Sequence, residues 1–282
     1  MDNLTKKQIA EKLQVYCDHK GSQNKAANSL KGVSASTVSH VLNNDWALIK
    51  DEMWRSIAAQ IGYKPDAWQA IETRDYKLLT GILTDAQDNA LVMAITGDSG
   101  TGKTFALRRY CDSTRNAYLL QCAEYWNKKM FLQELLGTMG RDYSGYSIGD
   151  MMYECVNELK KQNNPIIIID EGDKLTDSVL QFFIPLYNSL EGHCAIILCA
   201  TSHLNKLLKR GVRLNKRGYN EIFSRVGRKC IELKGLGAAD ITAVCRANGV
   251  DDAALIKEVI DDSEGDLRRV RRKIHAIKMS KQ

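Results

Sequence analysis

The chain has no long hydrophobic run. Its longest unbroken apolar stretches, Ile166–Ile169 and Cys194–Ala200, fall far short of the roughly 20 residues that a membrane-spanning helix needs. The first ten residues, MDNLTKKQIA, lack the apolar core of a secretory signal, so neither an integral membrane nor an exported protein is expected. Proline is scarce, at three in 282 residues. Cysteine is not scarce, but no two of the eight form a CxxC pair and no Cys/His set has zinc spacing. Most lie in apolar or helical segments, which predicts reduced core residues of a cytoplasmic protein. What is present is a soluble globular composition, 44% hydrophobic and 26% charged, at a length that favours two domains.

The net charge of +6 is unevenly spread. Residues 76–199 are acidic on balance, whereas 200–282 carry 19 basic and 10 acidic side chains. Within 203–229 there are nine basic residues and one acid, Glu221. Such a local excess creates a positive surface field and predicts a polyanionic partner.

Residues 1–65 read as an all-helical domain. Leu4, Ile9, Leu13 and Tyr16 form an approximate helical stripe. Ser22 can cap a helix with Ala26, Ala27 and Leu30 inside, Gly32 permits a tight turn, and Ser34 can cap a second helix with Val38, Val41 and Leu42 inside. Small alanines where two short helices cross make a helix-turn-helix pattern. Its second helix would present Ser36, Thr37, Ser39, His40 and Asn43 to DNA, without the Arg or Gln that makes strong bidentate base contacts. Trp54, Ile57, Ala58 and Ile61 continue the helical pattern until Gly62 and Pro65 break it.

The second domain opens on a buried strand, Ala90–Thr96, that runs into GDSGTGKT, Gly97 to Thr104. Every fixed position of G-x-x-x-x-G-K-[ST] is present. Gly97, Gly100 and Gly102 let consecutive N–H groups of Gly97–Phe105, through Asp98, Ser99 and Thr101, face phosphate oxygens. Lys103 is placed for the β- and γ-phosphates of ATP, and the Thr104 hydroxyl for Mg2+. Ile166–Ile169 is then a fully buried strand ending in Asp170, a candidate Mg2+ ligand, and Glu171, a candidate base for the attacking water. Ala117–Gln121 and Ala195–Ala200 read as further strands, with helices over Met130–Thr138 and Ser147–Gln162. Thr201 and Ser202 follow the last strand, where a hydroxyl can sense the γ-phosphate or its water. The fold class is therefore α/β, a P-loop module with a parallel sheet flanked by helices, preceded by the all-α domain.

Ser22–Trp46 resembles the helix-turn-helix of phage repressor-type proteins, although Gly32 falls five residues after Ala27, one more than that family places it. Residues 75–282 resemble the AAA+ class of P-loop ATPases, on GDSGTGKT, IIIIDE, IILCATS, IFSRVGRK and GDLRRVRR. The resemblance implies an arginine that reaches a neighbouring subunit's nucleotide, best matched by Arg225 with Arg228 second. It also implies a sensor arginine, Arg268, on a helical lid. The divisions are then a helix-turn-helix domain over 1–65, a linker over 66–85, an ATPase core over 86–233 and a lid over 234–282. More narrowly, the architecture is similar to the transposition ATPases related to the B protein of phage Mu. That similarity implies ATP-dependent, largely non-specific binding of double-stranded DNA, self-assembly into a filament or ring, and activation of a transposase, with no membrane partner. DNA contacts would come from Trp126-Asn127-Lys128-Lys129, from Lys206, Lys209, Arg210, Arg213, Lys216 and Arg217, and from the Arg268–Lys273 run. Competing readings are a helicase loader or replication initiator, and an operator-binding regulator switched by ATP.

Overall fold

The computed structural model describes residues 3–47, 49–63 and 68–280, excepting the side chain of Leu4. The Leu4 side chain and Pro65, invoked above for a helical stripe and a boundary, lie outside what is described. The chain divides into two compact units, 1–69 and 70–282.

The first unit is helical: α1 (Asn3–Lys20), α2 (Gln23–Ser29), α3 (Ala35–Leu42) and α4 (Asp51–Gln60). Both predicted caps form. Ser22 Oγ accepts from Lys25 N and Ser34 Oγ from Thr37 N, so each helix start loses one orphan donor. Gly32 turns the chain at φ +70°. Ile9 and Leu13 of α1, Ala26 and Ala27 of α2, Val38 and Val41 of α3, and Trp54 and Ile57 of α4 form one buried core. Trp46 meets Trp54 edge to face at 5.5 Å between ring centres.

The second unit is a parallel five-stranded sheet with helices on both faces and a cap of three more. In chain order it holds α5 (Arg74–Asp88), β1 (Val92–Thr96), α6 (Lys103–Ser113), β2 (Ala117–Gln121), α7 (Lys128–Thr138), α8 (Ile148–Lys160), β3 (Ile166–Asp170), α9 (Asp177–Leu180), α10 (Phe183–Leu190), β4 (Ala195–Ala200), α11 (His203–Arg213), α12 (Tyr219–Arg225) and β5 (Cys230–Glu232). Helices α13 (Ala238–Ala247), α14 (Ala253–Ser263) and α15 (Leu267–Ser280) follow. The strand order is β2-β3-β4-β1-β5. The adjacent inner strands β3 and β4 are buried throughout, which is why Ile166–Ile169 and Ala195–Ala200 read as continuous apolar runs.

Their side chains divide between two cores with a period of two. Ile167, Ile169, Ile196 and Leu198 join α7, α8 and α10–α12 on one face. Ile166, Ile168, Ile197 and Cys199 join α5 and α6 on the other. Most of the segment expected as a linker is thus corrected: from Arg74 it is α5, whose Leu79, Leu83 and Ala86 are buried against the sheet. Among the described residues no helix is long and apolar enough to cross a membrane. All eight cysteines are free thiols, seven of them buried.

Candidate nucleotide site

The carboxyl ends of β1, β3 and β4 converge on the loop Gly97–Thr104, which joins β1 to α6. Gly100 (φ +82°) and Gly102 (φ +91°) sit in left-handed backbone that a side chain would strain. Gly97 is needed for a different reason: a Cβ there would lie 3.0 Å from the Leu233 side chain. Helix α6 starts at Lys103, so its unpaired N–H groups and positive dipole end face the loop. Lys103 Nζ donates to the carbonyls of Gly97 (2.7 Å) and Asp98 (2.6 Å), holding the ammonium across the loop. Thr101 Oγ1 also donates to the Asp98 carbonyl, at 3.0 Å. Asp98 and Ser99 are exposed, and Phe105 is 48% exposed. Glycine amides, an ammonium and a helix N-terminus at one place fit a polyphosphate.

Asp170 ends β3 and is 1% exposed. Its Oδ2 accepts from the Thr104 hydroxyl at 2.6 Å and its Oδ1 from the Glu171 amide at 2.9 Å. Burial pushes its carboxyl above the ordinary range, against the pull of the Thr104 and Glu171 hydrogen bonds. A hydroxyl and a carboxylate side by side are the hard oxygen donors Mg2+ takes, with phosphate and water oxygens completing its shell. The described residues hold no cluster of three or more His, Cys, Asp or Glu able to bind a metal alone.

The turn after β3 ties up two further candidates. Glu171 has φ +56°, a costly conformation for a residue with a side chain. Its Oε2 accepts from Lys174 Nζ at 2.8 Å. Thr201 Oγ1 donates to Asp173 Oδ2 at 2.5 Å. One 3-10 turn, Gly172–Lys174, therefore grips both groups expected to handle the attacking water. Ser202 is the residue before α11 and makes no side-chain cap.

The helical cap reaches this loop through the start of α15. Leu267 N donates to the Gly100 carbonyl at 2.9 Å, and Arg268 Nη1 to Ser99 Oγ at 3.2 Å. The Asp266 carboxyl fills the space a Cβ on Gly100 would need. The structure thus brings Arg268 to the loop. It does not leave Arg225 free to project: that guanidinium donates to Glu221 (3.0 Å) and Asn188 (2.8 Å) and lies 5.0 Å over Tyr187. Arg228, in left-handed backbone at φ +56°, is exposed.

The basic candidates divide in the same way. Lys206, Lys209, Arg210 and Arg213 are exposed on α11 at spacings of three, four and seven, one face of a helix. The opposite face buries Leu204, Leu208 and Gly211. Lys216 is committed to Asp177 at 2.8 Å, and Arg217 is exposed. Lys128 and Lys129 are exposed at the start of α7, with Lys128 over the Phe182 ring, but Trp126 beside them belongs to the core. The Arg268–Lys273 run is partly self-paired, Arg269 with Glu264 and Lys273 with Asp262 and Glu258. In the first unit Ser36 and His40 are exposed. Ser36 and Thr37 hydroxyls bond Ser34, Ser39 accepts from Asn43, and His40 pairs with Asp45.

Sequence reasoning missed Asp173 and Lys174. Both were within reach, because a carboxylate and an ammonium two and three residues beyond Glu171 fall in the first turn after a strand end. A family model described as an AAA domain matches residues 86–208. A comparison with curated proteins returns no match. The matched segment spans the loop, Asp170, Glu171, Thr201 and the first half of α11, and it supports a P-loop ATPase module of AAA type.

Proposed function

We propose that the chain is an ATP-dependent DNA-binding ATPase that assembles on double-stranded DNA, largely without regard to sequence, and there recruits and activates a transposase. The DNA part of this reading is carried by one observation, the stripe Lys206–Lys209–Arg210–Arg213 on an amphipathic helix that starts just beyond β4. Phosphate contacts need charge and reach but no base pattern, and four cations on one exposed helix face supply both. Because α11 follows Thr201, the same strand end would feel the γ-phosphate and carry the DNA-facing helix. The transposase rests on the architectural similarity alone.

In this reading ATP lies with its phosphates on the Gly97–Thr104 amides and Lys103 leaves its carbonyl partners for the β- and γ-oxygens. Thr104 and Asp170 hold Mg2+, which when bound neutralises charge on those oxygens. Glu171 orients a water toward the γ-phosphate once Lys174 yields. Arg268 reports from the cap on the loop, and Arg228 is better placed than Arg225 to reach a neighbouring copy. An arginine supplied in trans would make turnover depend on assembly. The helices of the first unit would add phosphate contacts through exposed Ser36 and His40.

The test is DNA binding by the full chain with ATP, with ADP and without nucleotide, on unrelated sequences, with Lys103→Ala alongside and electron microscopy of the products. ATP-dependent filaments or rings on any sequence, absent in the variant, are the expected result. Tight binding to one sequence whatever the nucleotide, without assembly, would overturn it in favour of an operator-reading switch. Added transposase and, separately, a replicative helicase identify the partner.

A further inference from the structure

Beside the phosphate loop lies a small, half-open cavity. Thr101, Gly102 and Lys103 form the wall it shares with the loop, and Ile71, Tyr76, Leu79, Phe105, Leu233 and Leu267 make the rest mostly apolar. Asp75 also lines it and is 4% exposed. Its Oδ2 accepts from the Gly235 amide at 2.7 Å. Its Oδ1 is buried and has no hydrogen-bond donor. The nearest cation, Arg74 Nε, stands 4.0 Å from that oxygen, beyond hydrogen-bond reach. Only two other buried side-chain polar atoms among the described residues lack a partner, Trp54 Nε1 and Asn205 Oδ1, and neither lines this cavity.

A buried carboxyl oxygen without a donor is a cost that native structures rarely carry unexplained. An apolar, partly aromatic slot with one unsatisfied acceptor suits a flat heterocycle bearing an exocyclic N–H2 group. The slot abuts the loop that would hold the phosphates, so a nucleotide's base can enter it while its phosphates stay on the loop amides.

We propose that Asp75 selects the base of the bound nucleotide: its Oδ1 accepts a hydrogen bond from the 6-amino group of adenine and turns away 6-oxopurines, whose O6 would face it as a second acceptor. This rests on the phosphate-loop reading above and adds to it the residue that distinguishes one triphosphate from another. A site built around a ligand N–H rejects the analogue lacking it far more strongly than a hydrophobic slot rejects a change of shape.

The experiment measures displacement of a ribose-labelled fluorescent triphosphate from the full chain by ATP, inosine triphosphate and purine riboside triphosphate. The wild type is expected to bind ATP at least about tenfold more tightly than either analogue. Asp75→Asn keeps an oxygen for the Gly235 amide and turns an N–H2 donor into the cavity. It is expected to lose that preference and to favour the 6-oxo base by several-fold. Equal binding of all three by the wild type would overturn the proposal even if the variant failed to fold. A variant that weakens all three alike, with the ratio unchanged, would reduce Asp75 to a tie between α5 and Gly235 and overturn it too. Failure of any triphosphate to bind the wild type would instead sink the phosphate-loop reading, and this inference with it.

Discussion

The Thr104 hydroxyl donates to Asp170 Oδ2 across 2.6 Å although the two residues are 66 positions apart. Thr104 closes the phosphate loop after β1 and Asp170 ends β3, with β4 between the two strands, and the parallel sheet brings both to the same edge. Burial of the Asp170 carboxylate costs stability, because the site resists its charge and the Thr104 and Glu171 hydrogen bonds offset this only in part. Asp170→Asn therefore moves two measurements in opposite directions. The melting temperature of the nucleotide-free protein rises, by an amount worth roughly 0.5–2 kcal/mol. Mg2+-dependent ATP turnover falls by about 10²-fold or more. Equal losses of both would mean that Asp170 serves only the fold.

Glu171→Gln separates binding from chemistry. The amide keeps the shape of the side chain and a hydrogen bond to Lys174, but it cannot take a proton from water. Turnover is expected to fall by about 10²- to 10⁴-fold while ATP affinity changes little. Under the proposed function, assemblies on DNA then persist in ATP. Filament lifetime under the microscope, compared with the wild type, checks this, and a short-lived assembly would contradict it.

The helix α11 gives a salt-dependence test. If its four cations each neutralise one phosphate, replacing Lys206, Lys209, Arg210 and Arg213 by Gln flattens the log–log slope of DNA affinity against salt by about 3 to 4. Lys216→Gln is the internal control. Its ammonium already pairs with Asp177 at 2.8 Å, so the slope should hardly move. A slope that is indifferent to all five positions would move the DNA contact elsewhere.

The buried thiols predict an alkaline limit to stability. Burial pushes Cys111, Cys155 and Cys194 up to about 12 from the usual 9. At pH about 7 and below, both states keep these thiols protonated and nothing is lost. As pH rises from about 8 the unfolded chain ionises first, binds fewer protons than the folded one, and stability falls toward the folded values. Urea midpoints at pH 8, 9 and 10 should descend in that order. Iodoacetamide at pH 8 should label Cys155 and Cys194 only after unfolding, and half-buried Cys111 earlier.

Much of this architecture is legible in the residues. Ile166–Ile169 and Ala195–Ala200 announce buried strands because both faces are covered, and GDSGTGKT fixes a strand-loop-helix with its chemistry. The serine caps at 22, 34 and 147 each place a helix start, the last completed by Asp150 as a capping box. Other features depend on partners distant in sequence. Helix α5 looked like a linker because its polar residues mask Leu79, Leu83 and Ala86, although that spacing and Thr73 as N-cap were there to be found. Arg225 was singled out for its position after β4, but Asn188, 37 residues away, and Tyr187 decide where its guanidinium lies. Trp126 stands close to Lys128 and Lys129, which suggests a surface position, but its ring lies in the core while Tyr125 is exposed. Asp75 is one acid among many until the fold seals it against Gly235.

Gly211 shows how closely the basic helix is tied to what lies under it. It sits inside α11, where glycine is a poor helix former, yet a Cβ at this position would run into the ring of Tyr219. That ring is 1% exposed, and its hydroxyl donates to Asp177 at 2.7 Å, the same carboxylate that holds Lys216. Neither the ring nor its hydrogen bond can move without opening the core under α11 and α12. Gly211→Ala gains helix propensity but overpacks this contact, and the second effect is larger: a net loss of about 1–3 kcal/mol is expected. Because the clash lies beneath the stripe rather than in the phosphate loop, DNA affinity should fall more than ATP affinity. Urea unfolding of the variant, with DNA and ATP titrations at a temperature where it stays folded, checks both parts. A variant as stable as the wild type would show that the α11–Tyr219 contact is looser than the structure places it.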